Sequence, residues 1–464
     1  MKRGFISAMV LLLFPTGAHA VSAIVPEGVA RMDVLLAMDR IVVCRMIVSG
    51  AEPQLVAYDS RKQTVAWRRP SKISSWLFAA NADANPGFIV VEGSVVSALD
   101  VRTGETVWQT DLGKVGNIAA ATNTAVSSAD LVPDSCVYVC ERPLLTRTRV
   151  AVARTEMRRD INAIDGGQFP YRRGWVLLDR FTGEPVKTDP GFLVGRAGET
   201  ILVAPPDNVH LLGIEADRTV DLTGVLSGLS AAWRFDPLWV MNQWWSSASE
   251  DDTCLFRVRV DEITRPLLYT RGDDKVRVVR STGRKHLDMA RWAFSGRGMV
   301  RYGDDRGPSN RVYFIELYAK DGSFVAGRDF KNPGSDVQFQ VLGASTKGQP
   351  VLASYRTEWE TNVLASRIAS ARIEVLDKRT LATEKTIDLS ADLSKDSTVS
   401  LYLPPGSSIV LQSLGNRAVY KMREDSIPHE LSLRAMDLSS GKEKWRIAEP
   451  VTIRKRAGGL LPDD

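Results

Sequence analysis

One eleven-residue pattern constrains this chain more than any other feature: an alanine, an aspartate two residues later, a Thr-Gly pair, and a tryptophan four residues past the glycine. The clearest copy runs from Ala98 to Trp108, with Asp100, Thr103 and Gly104 in place. A second runs from Ala435 to Trp445 with Asp437 and Gly441, and Ser440 replaces the threonine. A third, Ala57 to Trp67, keeps Ala57, Asp59 and Trp67 but has Lys62-Gln63 where Thr-Gly would stand. A fourth keeps Asp179, Thr182 and Gly183 and ends on Lys187. A fifth keeps Asp377 and Thr380, with Leu381 in the glycine slot, and Leu317 to Gly322 preserves only the turn. Each copy spells a hairpin. The carboxylate accepts hydrogen bonds from amides two or three residues on, and glycine supplies a positive φ at little cost. A large aromatic at the same point of several hairpins predicts a recurring pocket, so Trp67, Trp108 and Trp445 are expected to be structural.

Repetition at such spacing points to a radial or linear array rather than a string of ordinary domains. Asp59 and Asp100 are 41 residues apart, close to the roughly 40 to 45 of a four-stranded propeller blade. Asp100 to Asp179 covers 79 residues, about two such units, and no middle copy is evident near Cys140. The 198 residues from Asp179 to Asp377 and the 60 from there to Asp437 imply insertions or decayed units in the centre. Short apolar or alternating runs, such as Ile41 to Cys44, Ile201 to Ala204, Leu255 to Val260 and Val312 to Leu317, read as strands. Turn signals such as Asn85-Pro86-Gly87, Asp321-Gly322 and Pro404-Pro405-Gly406 separate them. The fold class is therefore all-β.

The Asp-x-x-Thr-Gly-x-x-x-Trp copies resemble the tryptophan-docking repeats of pyrroloquinoline-quinone-like β-propellers, in which the tryptophan packs between adjacent blades. The resemblance implies a single β-propeller over residues 21–453, of seven or eight four-stranded blades, with eight preferred. The segment from Ala30 to Val48 is expected to complete the last blade.

At the N-terminus, Lys2 and Arg3 precede an apolar run from Phe5 to Phe14 and then Ala18-His19-Ala20. A basic head, a short apolar stretch and small residues before a cut predict a cleaved signal peptide over residues 1–20. About ten apolar residues are too few to span a bilayer, and no cysteine follows for lipid attachment. We expect a soluble periplasmic or secreted protein without a transmembrane segment, and a frayed tail over residues 454–464. The formal net charge is +5, from mixed rather than blocked charges. Clusters such as Arg158-Arg159 and Arg172-Arg173 fit solvated strand edges, and nucleic acid is not expected as a partner.

Candidate chemistry is sparse. In the quinone-dependent dehydrogenases, the resemblance would imply a vicinal cysteine pair, a calcium ion and a catalytic aspartate. The four cysteines, Cys44, Cys136, Cys140 and Cys254, include no adjacent pair. They allow three disulfide pairings in an oxidising compartment, or they are buried free thiols. Only His210, His286 and His429 remain after the leader, too scattered for zinc. No H-E-x-x-H, G-x-S-x-G or P-loop pattern occurs. Trp233, Trp239, Trp244 and Trp245 form a candidate ligand surface, against a packing role in a decayed blade. Glu250-Asp251-Asp252, Asp273-Asp274 and Asp304-Asp305 are candidate calcium ligands, against solvated turns. No cofactor is predicted. The expectation is a monomeric, non-catalytic scaffold for an envelope protein partner. The alternatives are a carbohydrate or small-ligand binder and a quinone-dependent dehydrogenase with calcium.

Overall fold

Strand after strand in this chain pairs antiparallel with its sequence neighbour, and the pairing breaks into groups of four. The computed structural model describes residues 28–455 except 39, 72–76, 81–87, 116–135, 139–142, 160–167, 206–209, 216–217, 228–232, 235–247, 251, 261–262, 274, 280–290, 296–297, 307–310, 332–336, 361–364, 391–392, 394–396, 405–406 and 420–423. Eight meanders result: blades 1 (28–70), 2 (77–111), 3 (136–190), 4 (192–221), 5 (233–278), 6 (291–331), 7 (337–388) and 8 (397–454). The protein is an eight-bladed β-propeller of four-stranded antiparallel sheets. In blades 3 and 5 the innermost strand comes in two pieces: Cys136–Tyr138 with Leu144–Leu145, and Trp233–Arg234 with Ala248–Glu250.

Core formation follows from the two-residue period of a strand. In blade 3, Val150 and Val152 join a cluster shared with Ile89, Val91 and Trp108 of blade 2. The intervening Ala151 and Ala153 join one shared with Leu193, Ile201 and Val203 of blade 4. Strands buried on both faces read as continuous apolar runs, which is why Val150 to Ala153 shows no polar alternation. Eight apolar clusters occupy the eight junctions of the ring.

Two expectations about the ring are corrected. The interval from Asp100 to Asp179 holds one blade rather than two. Its extra length lies in the connection after blade 2 and in the long hairpin that pairs Arg149–Arg159 with Gln168–Asp179. The segment from Ala30 to Val48 does not complete the last blade: strands Gly28–Met38 and Ile41–Val48 are the first two of blade 1. Closure comes instead from pairing Gly28 with Val419 and Ala30 with Asn416, which fuses blades 8 and 1 into one eight-stranded sheet. The last hairpin, Ser426–Asp437 with Glu443–Arg454, reaches onto blade 1. There the Arg454 amide donates to the Ser49 carbonyl at 2.9 Å, one residue beyond the boundary at which fraying was expected. Residues 1–20 and 456–464 lie outside the described residues.

Candidate functional site

What the repeat builds is a set of blade junctions. In blade 2 the Asp100 Oδ1 accepts the amides of Arg102 (2.7 Å) and Thr103 (3.0 Å), and the Gly104 amide donates to the Asp100 carbonyl. Thr103 Oγ1 accepts the Glu105 amide, which accounts for the threonine. Asp179, Asp377 and Asp437 repeat the arrangement, with Ser440 taking the threonine role in the last. Asp59 accepts from Arg61 and Lys62. At Asp377 and Asp437 these bonds favour the charged carboxylate. The Thr380 hydroxyl, then the Thr380 and Arg379 amides, lower Asp377 to about 2, and Ser439 and Ser440 hold Asp437 well below the usual range.

The turn conformation persists where the sequence has drifted. Gly104, Gly183 and Gly441 all have φ of 73°. The only non-glycine residues with positive φ among those described are Gln63 and Leu381, the two that replace glycine in degenerate copies. The backbone holds the shape at a strain of roughly 1 to 2 kcal/mol each.

Docking explains why the shape persists. The Trp67 indole N–H of blade 1 donates to the Val101 carbonyl of blade 2 at 3.0 Å, and Trp108 of blade 2 donates to the Arg180 carbonyl of blade 3 at 2.8 Å. Both rings are buried and lie flat on the glycine of the next turn. A Cβ at Gly104 would stand 2.6 Å from Trp67, and one at Gly183 2.4 Å from Trp108. Trp445 packs against the core between blades 8 and 1 and is only half-buried. The blade after it carries Gln63 in the glycine slot.

A second anchor went unread in the sequence. Two residues past the tryptophan slot, Arg69 donates to the Gly104 carbonyl and Thr106 Oγ1, Thr110 donates to the Gly183 carbonyl, and Arg328 donates to the Leu381 carbonyl and Thr383 Oγ1. Register alone marks these positions. Their residue types differ, so no motif exposes them.

The structure describes only part of the candidate ligand residues, with Asp251 and Asp274 outside the described residues. Trp233 lies on the inner strand of blade 5, opposite Val260, while Trp239, Trp244 and Trp245 lie outside the described residues. Asp252 and Asp273 sit at the turn end of blade 5, tied by the Arg271 amide on the Asp252 carbonyl. Asp304 and Asp305 pair with Tyr313 and Val312 in the distal half of a blade 6 hairpin, the opposite end of the meander. No group of three His, Cys, Asp or Glu placed to hold a metal occurs among the described residues. Cys44 and Cys254 are buried thiols in separate junction cores, and neither forms a disulfide. Burial, then Asp33, pushes the Cys44 thiol up. Cys140 lies outside the described residues. With no vicinal cysteines and two thiols locked in cores, the residues present do not fit a quinone site of the dehydrogenase type.

Buried charge is present but internally matched. Arg301 and Glu316 of blade 6 pair at 3.0 Å at 3% and 1% side-chain exposure, and the Tyr318 hydroxyl donates to the same carboxylate. Burial, then Glu316, raises Tyr318 to about 12. At the ring-closing junction, Glu449 accepts from Arg68 at 2.7 Å and Tyr58 at 3.4 Å. The cost of desolvating two charges offsets much of the attraction within such pairs. No helix among the described residues is long and apolar enough to cross a membrane.

No family model and no curated protein matches the chain. Among solved structures it is similar to a quinohemoprotein alcohol dehydrogenase from Comamonas testosteroni, at 13% identity over 91% of this chain and 69% of that one, TM-score 0.36. It is also similar to apo AztD from Citrobacter koseri, at 11% identity over 93% and 98% of the two chains, TM-score 0.39. The C-terminal WD40 domain of Sif2 follows at 8% identity, 85% and 93% coverage, TM-score 0.40. At these identities the likeness carries nothing about activity, and the propeller assignment rests on the strand pairing above.

Proposed function

We propose that this protein is an exported, tryptophan-docking propeller of the pyrroloquinoline-quinone-like type that serves as a non-catalytic scaffold for a protein partner in the bacterial envelope. One observation carries the reading: the residues that recur are used in turns and junctions. Asp100, Gly104 and Trp108, with their counterparts, meet each other across blades rather than opening toward a ligand. A ring held this way presents broad loop faces that can hold another chain without any reactive group. The basic head and Ala18-His19-Ala20 support export.

The experiment has two arms. Purified protein is mixed with pyrroloquinoline quinone and calcium, and reduction of a dye acceptor is followed with alcohols and aldose sugars. In parallel, tagged protein is recovered from envelope extract and its retained partners are quantified. No turnover with a stoichiometric partner is expected. Quinone-dependent turnover without a partner overturns the reading. N-terminal sequencing of the recovered protein is expected to begin at Val21 or close to it.

A further inference from the structure

Antiparallel meanders put the turn between first and second strands and the turn between third and fourth strands at the same end of each blade. Hydrogen bonds tie the two together around the ring: the Ser60 amide donates to the Arg40 carbonyl, Arg180 to Thr148, Arg271 to Asp252 and Leu438 to Ser408. One face of the propeller therefore consists of these paired turns. Its charges fall into two unlike halves.

On blades 3 to 5 most cations of this face sit on carboxylates. Arg147 pairs with Glu199, Arg149 with Asp179, Arg218 and Arg271 with Glu215, and Arg277 with Asp273. Arg180 and Arg196 donate instead to the Thr146 and Gly198 carbonyls, and Lys275 follows Asp273 and Asp274 directly in sequence. On the contiguous arc of blades 7, 8, 1 and 2, Arg40 and Lys444 pair with Asp59 and Asp437, but seven further cations do not sit on a carboxylate. Lys347, Lys378 and Arg379 of blade 7 and Lys442 of blade 8 are exposed, with no carboxylate partner among the described residues. Arg61 and Lys62 of blade 1 and Arg102 of blade 2 are the same. The turn aspartates offset part of this charge, but Oδ1 of Asp59, Asp377 and Asp437 is occupied by loop donors. Glu384 and Glu443 are likewise held, by Gln349 and Arg446.

We propose that the turn face of blades 7, 8, 1 and 2 docks an acidic polypeptide segment of the partner, which deepens the scaffold reading and rests on it. The cations stand on successive turn tips, an arc of separate points that an extended acidic chain can follow. Of the exposed large apolar residues among those described, Val107 on the last strand of blade 2 belongs to this arc, while Phe181, Val186, Val278, Phe324 and Val325 lie on blades 3, 5 and 6. Blades 7, 8 and 1 thus carry charge without the apolar side chains that a membrane-surface anchor inserts. Complementary charge of this kind acts mainly on association rate and weakens with salt.

The test uses the full mature protein and a fluorescent peptide of about 16 residues of alternating Asp and Glu, long enough at roughly 3.3 Å per residue to cross several turn tips. A Gln/Asn peptide of equal length and vesicles with anionic lipid serve as the other probes. Two charge reversals are made, Arg61→Glu with Lys62→Glu and Lys378→Glu with Arg379→Glu. All four side chains lie outside the turn hydrogen bonds, which use the main-chain amides. The control, Arg147→Glu with Arg277→Glu, alters the paired half. Anisotropy is expected to show saturable binding of the acidic peptide, at least about tenfold weaker in each reversal, unchanged in the control, and lost as salt shortens the screening length to about 3 Å near 1 M. Equal binding of the neutral peptide, equal loss in the control, or no binding overturns the proposal. Vesicle binding abolished by the same reversals, with no peptide binding, assigns the face to lipid and overturns it as well. If the reversed variants still retain the envelope partner in full, this proposal fails while the scaffold reading stands. If the wild type retains no partner, the scaffold reading itself fails.

Discussion

The junction between blades 2 and 3 and the junction between blades 6 and 7 perform the same task with opposite parts. At the first, Trp108 supplies the bulk from the outer strand and Gly183 supplies the space from the turn. At the second, Ala326 occupies the strand position and Leu381 the turn position. Leu381 is fully buried in the junction core, with Ala326 packed against the same cluster. Register shows the slots to be equivalent: Trp108 pairs with Ala98 and Ala326 with Leu317, and a bulge follows each pair at once. Even the second anchor survives, since Arg328 reaches the Leu381 carbonyl as Arg69 reaches that of Gly104. The junction needs a filled volume and a capped turn carbonyl. Which blade contributes the volume is free to vary.

The largest expected effect breaks the first kind of junction. Trp108→Ala removes a buried ring and its hydrogen bond and should cost roughly 3 to 5 kcal/mol, seen as a lower urea midpoint. Trp67→Ala should match it, whereas half-buried Trp445→Ala should cost clearly less, and equal midpoints in all three would contradict the docking geometry.

Exchange at the swapped junction comes next. Leu381→Gly relieves the positive φ but empties a core site, for a net loss of roughly 2 to 4 kcal/mol. Ala326→Trp alone overpacks the same space by roughly 1 to 3 kcal/mol. Together they recreate the arrangement of blade 2, so the double variant should be more stable than the sum of the two losses by at least about 1 kcal/mol. Strict additivity would show that the two residues do not share the volume.

Glycine substitutions sharpen the contrast on a smaller scale. Gly183→Ala meets both an unfavourable φ and a Trp108 atom at 2.4 Å, and should cost about 3 kcal/mol. Gly441→Ala has the same φ, but its nearest neighbour is the flexible end of Lys385 at 3.5 Å, so about 1 kcal/mol is expected. Thermal midpoints of the two variants, measured side by side, check the difference.

The smallest effect is in pH. Asp377 and Asp437 have folded pKa values depressed below the usual 3.8, by the Thr380 hydroxyl and by Ser439 and Ser440 respectively. Below that value the unfolded chain binds more protons than the folded one, so their contribution is full above about pH 4 and is lost as pH falls toward 2. Asp377→Asn combined with Asp437→Asn should flatten the acid limb of the stability profile between pH 4 and 2 and leave its shape at pH 7 unchanged. An identical acid limb would show that these turns do not titrate as described.

Legibility tracked how local each interaction is. The Asp-turn-Gly hairpins were readable because their hydrogen bonds run between residues two to five apart, so they leave a compact mark in sequence. Blades 4 and 5 were not, because Glu215 to Arg218 and Thr270 to Asp273 close their hairpins with other turn chemistry, and of the blade 6 hairpin, closed by Ala319 to Ser323, only the turn was readable. The anchor positions Arg69, Thr110 and Arg328 were invisible for another reason: their partners lie 35 to 73 residues away.

The chain by itself determined the all-β class, the repeat, the turn shape and the identity of the docking aromatics, since each depends on backbone preference or on a side chain bonding within its own loop. Only the closed ring decided the rest. Eight blades rather than seven, closure by Gly28 and Ala30 against Val419 and Asn416, and the exchange of Trp-on-Gly for Leu-beside-Ala are all relations between segments far apart in sequence. Packing constrains the sum of two side chains across a junction and not either one alone, so a single strand of sequence cannot display it.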